Sequence, residues 1–214
     1  MSNPDVDHQV QMGLRDDRRA ERFAEQMAEL AAQIVNSTFQ FAQDVKTAYE
    51  SSLIPKKRQG DRDFDETDQA RLALGAFSFF MHVLDRHLLR MDTQIMRNAV
   101  FDFIFENVVQ QVYAKSFAGT AAQTEKFILD HYNLRTSQLA EAPSVLAESP
   151  EDGNTALSRA AHAICEEDLG RDDRRLVVIV ATHLTRGLES LALADRMTAM
   201  AEVLCLPGHL RKTA

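Results

Sequence analysis

The chain has few of the residues that form turns: glycine occurs 8 times and proline 5 times among 214 residues. Many short strands need many tight turns, so this scarcity favours a small number of long helices. Apolar residues make up 45% of the chain and charged residues 26%, which is typical of a folded globular protein and not of a disordered one. The length allows one sizeable core, so we expect a single domain.

Cysteine is also scarce, and a surplus of positive charge is absent. Cys165 and Cys205 lie far apart and show no metal-type spacing, which predicts two reduced thiols in a cytoplasmic protein. The formal net charge is −8, whereas nucleic-acid binders usually present a basic face. The only compact basic cluster, 56–58, stands beside Pro55 and Gly60 and is interpreted as a solvated loop. We therefore expect no nucleic-acid partner.

Long apolar runs and targeting signals are missing as well. The first ten residues combine neither a basic start nor an apolar run, so they do not resemble a signal peptide. The longest apolar candidate, 72–84, is interrupted at His82 and falls short of the ~18–20 residues that span a membrane. These features predict a soluble protein that does not bind a membrane.

Apolar residues instead recur at helical spacing along most of the chain. We predict an all-α fold: a single-domain bundle of five or six long, mostly antiparallel helices. Residues 1–13 are expected to form a flexible leader, 14–206 the bundle and 207–214 a C-terminal tail. The predicted helices cover about 14–50, 121–140, 154–169 and 172–204. Two further helices lie between about 67–68 and 117–119 and meet within 90–94. A tight turn near Asp92 is preferred over one very long helix through the middle of the chain, because Asp92 can cap a new helix.

The most informative segment is the apolar helix 72–89, which carries a single polar strip. Steps of three and four residues place the strip on one line of the helix. Polar groups inside a protein must be paired or must face something useful. The members of this strip are Arg71, Gly75, Ser78, His82 and Asp85, with Arg86 beside them.

A hairpin turning at Asp92 would bring His82 to the height of Asp102 on the next helix. Asp85 would then lie near, and Glu106 shares the face of Asp102. Imidazole and carboxylates from facing helices are how bundles build metal sites. The metal candidates are therefore His82, Asp85, Asp102 and Glu106, with Arg86 as a partner for an anionic ligand. The alternative interpretation is a structural ion-pair network, in which Arg86 and Arg90 neutralise the acids.

The last predicted helix carries small residues at heptad spacing, Gly187, Ala194 and Ala201, which would let another helix approach closely. His183 lies one turn before Gly187 and is a candidate ligand residue; a core histidine bonded to a neighbour is the alternative. His162 and Glu166 are four residues apart and predict a surface ion pair.

No phosphate-binding loop, dinucleotide fingerprint, zinc-protease motif or serine-nucleophile elbow occurs in the sequence. Glu166 and Glu167 follow Cys165 directly and would raise its thiol pKa. The leading hypothesis is a non-catalytic helical-bundle protein that self-associates as a dimer or binds a protein partner. The surfaces expected to act are the hairpin 72–113 and the small-residue face. The alternative is a ligand- or metal-binding bundle, an enzyme included, at the predicted His82 site; no cofactor is specified by the sequence.

Overall fold

In a computed structural model of the chain, the described residues are 4–52, 64–91, 93–111, 121–146 and 154–204, and they are almost wholly helical. The all-α class is confirmed, since no strand occurs within these ranges. The arrangement as five or six long antiparallel helices in one domain stays a prediction. The helices are α1 (Pro4–Leu14), α2 (Asp17–Ser51), α3 (Glu66–Arg90), α4 (Gln94–Gln111), α5 (Ala121–Ala140), α6 (Ala156–Ala163), α7 (Arg174–Leu191) and α8 (Leu193–Val203).

The chain divides into two compact units. The first, unit 1, comprises Met1–Val35, Met81–Glu125 and Leu191–Ala214. The second, unit 2, comprises Asn36–Phe80 and Lys126–Ser190. Helices α2 and α3 therefore contribute residues to both units, and the polar strip of α3 is divided between them.

Residues 4–14 form helix α1, where the sequence suggested a flexible leader. Val6 and Val10 are buried and stand one helical turn apart, which gives α1 a short apolar face. Asp7 accepts hydrogen bonds from Thr93 Oγ1 at 2.9 Å and from the Ile95 backbone N–H at 3.4 Å. The N-terminal segment is thus fixed to the beginning of α4 within unit 1. A face of only two valines is too short to register as a periodic pattern.

The helix break in the middle of the chain is confirmed. Helix α3 ends at Arg90, Met91 lies in a turn, and α4 begins at Gln94. Asp92, the expected capping residue, lies outside the described residues. Thr93 caps α4 instead, because its Oγ1 accepts from the Met96 backbone N–H at 3.3 Å. The predicted end of the next helix, near residue 118, also lies outside the described residues.

The last predicted helix is interrupted, which corrects the expectation of one helix over 172–204. Ala192 adopts a left-handed conformation, with φ 45° and ψ 46°, and separates α7 from α8. The Arg196 side chain donates to the Leu191 backbone oxygen at 3.1 Å, which satisfies a carbonyl at the end of α7. No glycine or proline marks this break in the sequence, so the pattern alone does not reveal it.

The two helices α7 and α8 together, Arg174–Val203, are long and apolar enough to cross a membrane, judged by length and composition only. No uninterrupted apolar run marks this segment in the sequence, because Arg186, Glu189 and Asp195 interrupt it. Only 28% of its most apolar window is buried inside the fold. Within this segment Val178 is exposed, whereas Leu176, Val180 and Leu184 are buried.

Candidate functional site

The polar strip of α3 is mostly buried, as its sequence context implied. Arg71 is exposed, whereas Gly75, Ser78, His82 and Asp85 are buried. Gly75 and Ser78 belong to unit 2, and His82 and Asp85 belong to unit 1. The strip therefore contributes side chains to two separate environments, one in each unit.

In unit 1, Asp85 forms a two-pronged ion pair with Arg97 of α4. Arg97 Nε donates to Asp85 Oδ1 at 2.6 Å, and the second guanidinium nitrogen, Nη2, donates to Oδ2 at 3.0 Å. A guanidinium and a carboxylate that form two parallel hydrogen bonds interact more strongly than groups joined by a single neutral hydrogen bond. The partners expected from the sequence were Arg86 and Arg90, and the role of Arg97 was not predicted. Asp85 and Arg97 lie the same number of residues before and after Met91. A hairpin with its turn placed at Met91 would therefore have predicted this ion pair.

His82 is 3% exposed, and neither of its ring nitrogens has a hydrogen-bond partner within the described structure. Its pKa is lowered to about 4, first by burial and then by the positive charge of Arg86, while the negative charge of Asp85 opposes the shift. A buried imidazole without partners is neutral at physiological pH, because desolvation disfavours its charged form. His82 is therefore a neutral polar group held in an apolar setting.

The other two members of the predicted metal site do not join His82. Asp102 and Glu106 are exposed, because α4 buries the face formed by Met96, Val100, Ile104 and Val108. Asp102 lies midway between Val100 and Ile104 and so falls on the opposite side of the helix. Within the described ranges, no group of three or more His, Cys, Asp or Glu side chains is placed to hold a metal ion.

His183 of α7 lies in unit 2, near Asp44 of α2. Its Nδ1 is 3.9 Å from Asp44 Oδ2, which is too long for a hydrogen bond. Burial lowers the pKa of His183, the charge of Arg186 lowers it further, and Asp44 opposes the shift. Gly187, one turn on, does not open a pocket, because a Cβ there would lie 2.6 Å from Cζ of Phe80. The glycine provides room for an aromatic ring of the core.

The predicted small-residue face is not continuous. Gly187 is half-buried against Phe80, Ala194 is exposed and Ala201 is buried. The left-handed conformation of Ala192 interrupts the helix between the first and second of these residues. The heptad spacing therefore does not correspond to one helix surface.

Unit 2 contains a polar network that the sequence analysis missed. Ser78 Oγ lies 3.0 Å from His131 Nδ1, and His131 Nε2 lies 3.1 Å from Asp168 Oδ1. Arg135 donates to Asp168 and, at 2.5 Å, to Glu167. The hydrogen bond from Arg135 is the main reason that the pKa of Glu167 is lowered. Four of these groups are buried or nearly so, and they link α3, α5 and the segment that follows α6.

The segment after α6 is a single π-helical turn, Ile164–Asp168. The Leu169 backbone N–H donates to the Ile164 carbonyl at 3.0 Å and closes the wide turn. A Cβ at Gly75 would lie 2.5 Å from Ile164 Cγ1 and 3.2 Å from Asp168 Oδ2. Gly75 therefore allows the π turn to approach α3 closely, and this approach brings Asp168 into the network.

The order serine, histidine, aspartate is that of the catalytic triad in nucleophilic enzymes. Here Ser78 has no exposed surface and lies in the interior of helix α3. A substrate cannot reach its hydroxyl in this conformation. The bonded arrangement instead cross-links three helical segments, and the polar groups compensate one another for their burial.

A second buried ion pair stabilises the other end of this region. Arg171 donates to Asp68 at 3.0 Å, and Asp68 has no exposed surface. The guanidinium of Arg171 also lies 4.2 Å from the ring centre of Phe64. Cys165 nearby is buried, and burial together with the charges of Asp173, Glu166 and Asp168 raises its pKa to about 12. The expected direction of the thiol pKa is confirmed, with burial as the largest cause; Cys205 lies outside the described residues.

An open groove of about 460 Å³ lies between α5 and the α6 segment. His162 Nδ1 and Glu166 Oε1 are 2.9 Å apart at its rim, which confirms the predicted surface ion pair. Arg159 donates to Glu141 at 3.2 Å and to the Gln138 backbone oxygen at 2.9 Å. The charged groups of the groove are thus already paired with one another.

The chain matches no protein-family model, no curated protein and no solved structure. The class that the observations define is therefore the all-α class, with buried polar cross-links in each of its two compact units.

Proposed function

We propose that this protein acts by self-association through an apolar helix face and not by catalysis. The observation that supports this proposal is the contrast between its polar and apolar side chains. The chemically capable groups of unit 2 are buried and bonded to one another, as in the chain from Ser78 to Arg135. Large apolar side chains are meanwhile exposed on several helices and in the segment after α5: Met12, Phe39, Leu89, Phe127, Leu129, Leu134 and Val178 on helices, and Leu146 after α5.

The surface proposed for this role differs from the one that the sequence suggested. The apolar residues of the hairpin, such as Phe77, Phe80 and Ile104, are buried in the core of the chain itself. They are not available to a second molecule. The exposed residues are the ones that can lower their free energy by association, at roughly 25 cal/mol for each Å² removed from water.

Sedimentation equilibrium of the full chain tests the proposal. We expect the average mass to rise above that of the 24.1 kDa monomer as the concentration increases from about 1 to about 100 µM. A constant monomer mass over this range would contradict self-association.

A second candidate function, binding of a small ligand or metal ion, is favoured by one observation: both nitrogens of His82 lack partners although the residue is buried. Buried polar groups normally have partners, so this imidazole is available to a ligand that reaches it. Metal analysis of protein purified without chelator, with His82→Ala as the control, tests this candidate. Stoichiometric metal that disappears in the variant would support it, and equal metal contents would contradict it.

A further inference from the structure

Between Arg174 and Arg186, which are both exposed, the outward face of helix α7 carries no Asp, Glu, Lys or Arg. From Leu176 to Thr185 the sequence contains no Asp, Glu, Lys or Arg. Val178, in the middle of the exposed side, is 64% exposed, the largest value among the exposed large apolar residues. A surface helix normally carries charged side chains on its solvent side, so this face is unusual for one that remains in water.

The polar residues of this face direct their hydroxyl groups inward. Thr182 Oγ1 donates to the Val178 backbone oxygen at 2.8 Å, and Thr185 Oγ1 donates to the Ala181 backbone oxygen at 3.0 Å. Because the hydroxyl groups are satisfied within the helix, the threonines need no hydrogen bonds from solvent. The face therefore combines the valine side chain with small residues that can pack closely.

Charged residues bound the face at its two ends, and they have opposite signs. Arg174 is exposed at the first turn and Glu189 is exposed near the last. Neither forms an ion pair or hydrogen bond with any side chain that the structure describes. Arg186 is exposed as well and lies at the edge of the face, about 90° from its centre line, so Arg174 and Glu189 are the charges on the face itself.

The spacing of the face is the same in both directions along the helix. Its members are separated by four, three, one, three and four residues, and the midpoint falls between Ala181 and Thr182. On a helix that turns by 100° for each residue, all members of the face lie within about 60° of one line parallel to the helix axis. The members are Arg174, Val178, Ala181, Thr182, Thr185 and Glu189.

We propose that this α7 face is the contact between two copies of the chain, which meet as an antiparallel helix pair around a two-fold axis near Ala181 and Thr182. The proposal rests on the self-association proposed above and names its surface. A two-fold axis makes each residue of the face meet its symmetric counterpart. Arg174 then lies opposite Glu189 of the second copy, and Val178 lies opposite Thr185.

The small side chains at the centre suit this arrangement. Ala181 and Thr182 allow the two helix axes to approach to about 8 Å, the short end of the range for packed helices. The opposite charges at the ends favour the antiparallel orientation, because a parallel pair would place like charges together. A contact of one helix pair falls at the small end of protein interfaces, so we expect dissociation in the micromolar range, near about 10 µM.

A charge exchange tests the register of the pair. Arg174→Glu alone and Glu189→Arg alone each place like charges opposite each other, so each should raise the dissociation constant about fivefold or more in sedimentation equilibrium. The double variant restores opposite charges and should return to within about twofold of the original value. Equal dissociation constants in all four proteins would overturn the proposed contact on α7 without contradicting self-association. A monomer in all four proteins would overturn both proposals.

A second pair of variants separates this face from exposed apolar surface in general. Val178→Lys should abolish association, whereas Leu89→Lys, at a residue that is 56% exposed on α3, should not change it. Circular dichroism and urea unfolding establish that both variants fold. Loss of association in both variants, or in neither, would overturn the proposal.

Flotation with vesicles of phosphatidylcholine and phosphatidylglycerol completes the test, because the segment has the apolarity of a membrane helix. We expect the full chain to remain unbound. Vesicle binding that Val178→Lys removes would assign the face to a lipid surface and overturn the proposal for a second copy.

Discussion

The buried imidazole of His82 predicts a specific dependence of stability on pH. In the folded protein its pKa is about 4, against an ordinary value of 6.5, with burial as the main cause. The folded state therefore binds fewer protons than the unfolded state between these two values. Above pH 6.5 the free energy of unfolding contains the full contribution of the neutral His82. This contribution falls as the pH is lowered and is lost near pH 4.

The size of the effect follows from the two pKa values. The interval from 6.5 to about 4 corresponds to about 3 kcal/mol, at about 1.4 kcal/mol for each pKa unit. Solvent screens this contribution little, because His82 is only 3% exposed. His82→Leu removes the titrating group and two unpaired polar atoms. At pH 7.5 we expect the variant to be as stable as the original or about 1 kcal/mol more stable.

Urea unfolding followed by circular dichroism between pH 7.5 and pH 4 measures this effect. The difference in unfolding free energy between His82→Leu and the original chain should grow by about 3 kcal/mol as the pH falls. His162→Gln is the matched control, because it removes a histidine that is 53% exposed, whereas His82 is buried. Parallel profiles for His82→Leu and the original chain would refute the reasoning.

Three further predictions concern backbone shape and the polar network, and each is measured by urea unfolding. Gly75→Ala should destabilise the chain by about 1–3 kcal/mol, because its Cβ would lie 2.5 Å from Ile164; an unchanged midpoint would contradict the close approach. Ala192→Gly should stabilise it by about 1 kcal/mol, since glycine adopts a φ of 45° without strain; destabilisation would argue against the left-handed turn. Arg135→Met should cost about 3–5 kcal/mol because Asp168 loses its guanidinium partner, whereas a loss under about 1 kcal/mol would contradict a buried pair.

Local sequence pattern predicted the helices well where one apolar face repeats over many turns. The buried residues Phe23, Leu30 and Ile34 of α2 follow the expected stripe, and α5 has the expected bounds. Gly170, with φ 65°, ends the α6 segment as its sequence indicates. The break at Ala192 escaped prediction because alanine normally favours helix, and a tertiary contact such as that of Arg196 leaves no local signal.

The candidate site was only partly predictable, for reasons of register and distance along the chain. Burial of His82 and Asp85 follows from the apolar helix around them, but their partners depend on where the hairpin turns. A shift of the turn from Asp92 to Met91 places Val100 opposite His82 in the position expected for Asp102, and it places Arg97 opposite Asp85. The network of Ser78 joins residues 53 and then 37 positions apart, and no single-sequence periodicity connects such distant elements.

Cross-linking through Thr182 tests the central claim of self-association on α7 most directly. The full chain with Cys205→Ser and Thr182→Cys is treated with a short bismaleimide; buried Cys165, with a pKa of about 12, does not compete. We predict a covalent dimer with Thr182→Cys and none with Leu89→Cys at the same protein concentration. No dimer in either protein, or equal dimer in both, would contradict the claim that two copies meet on this helix.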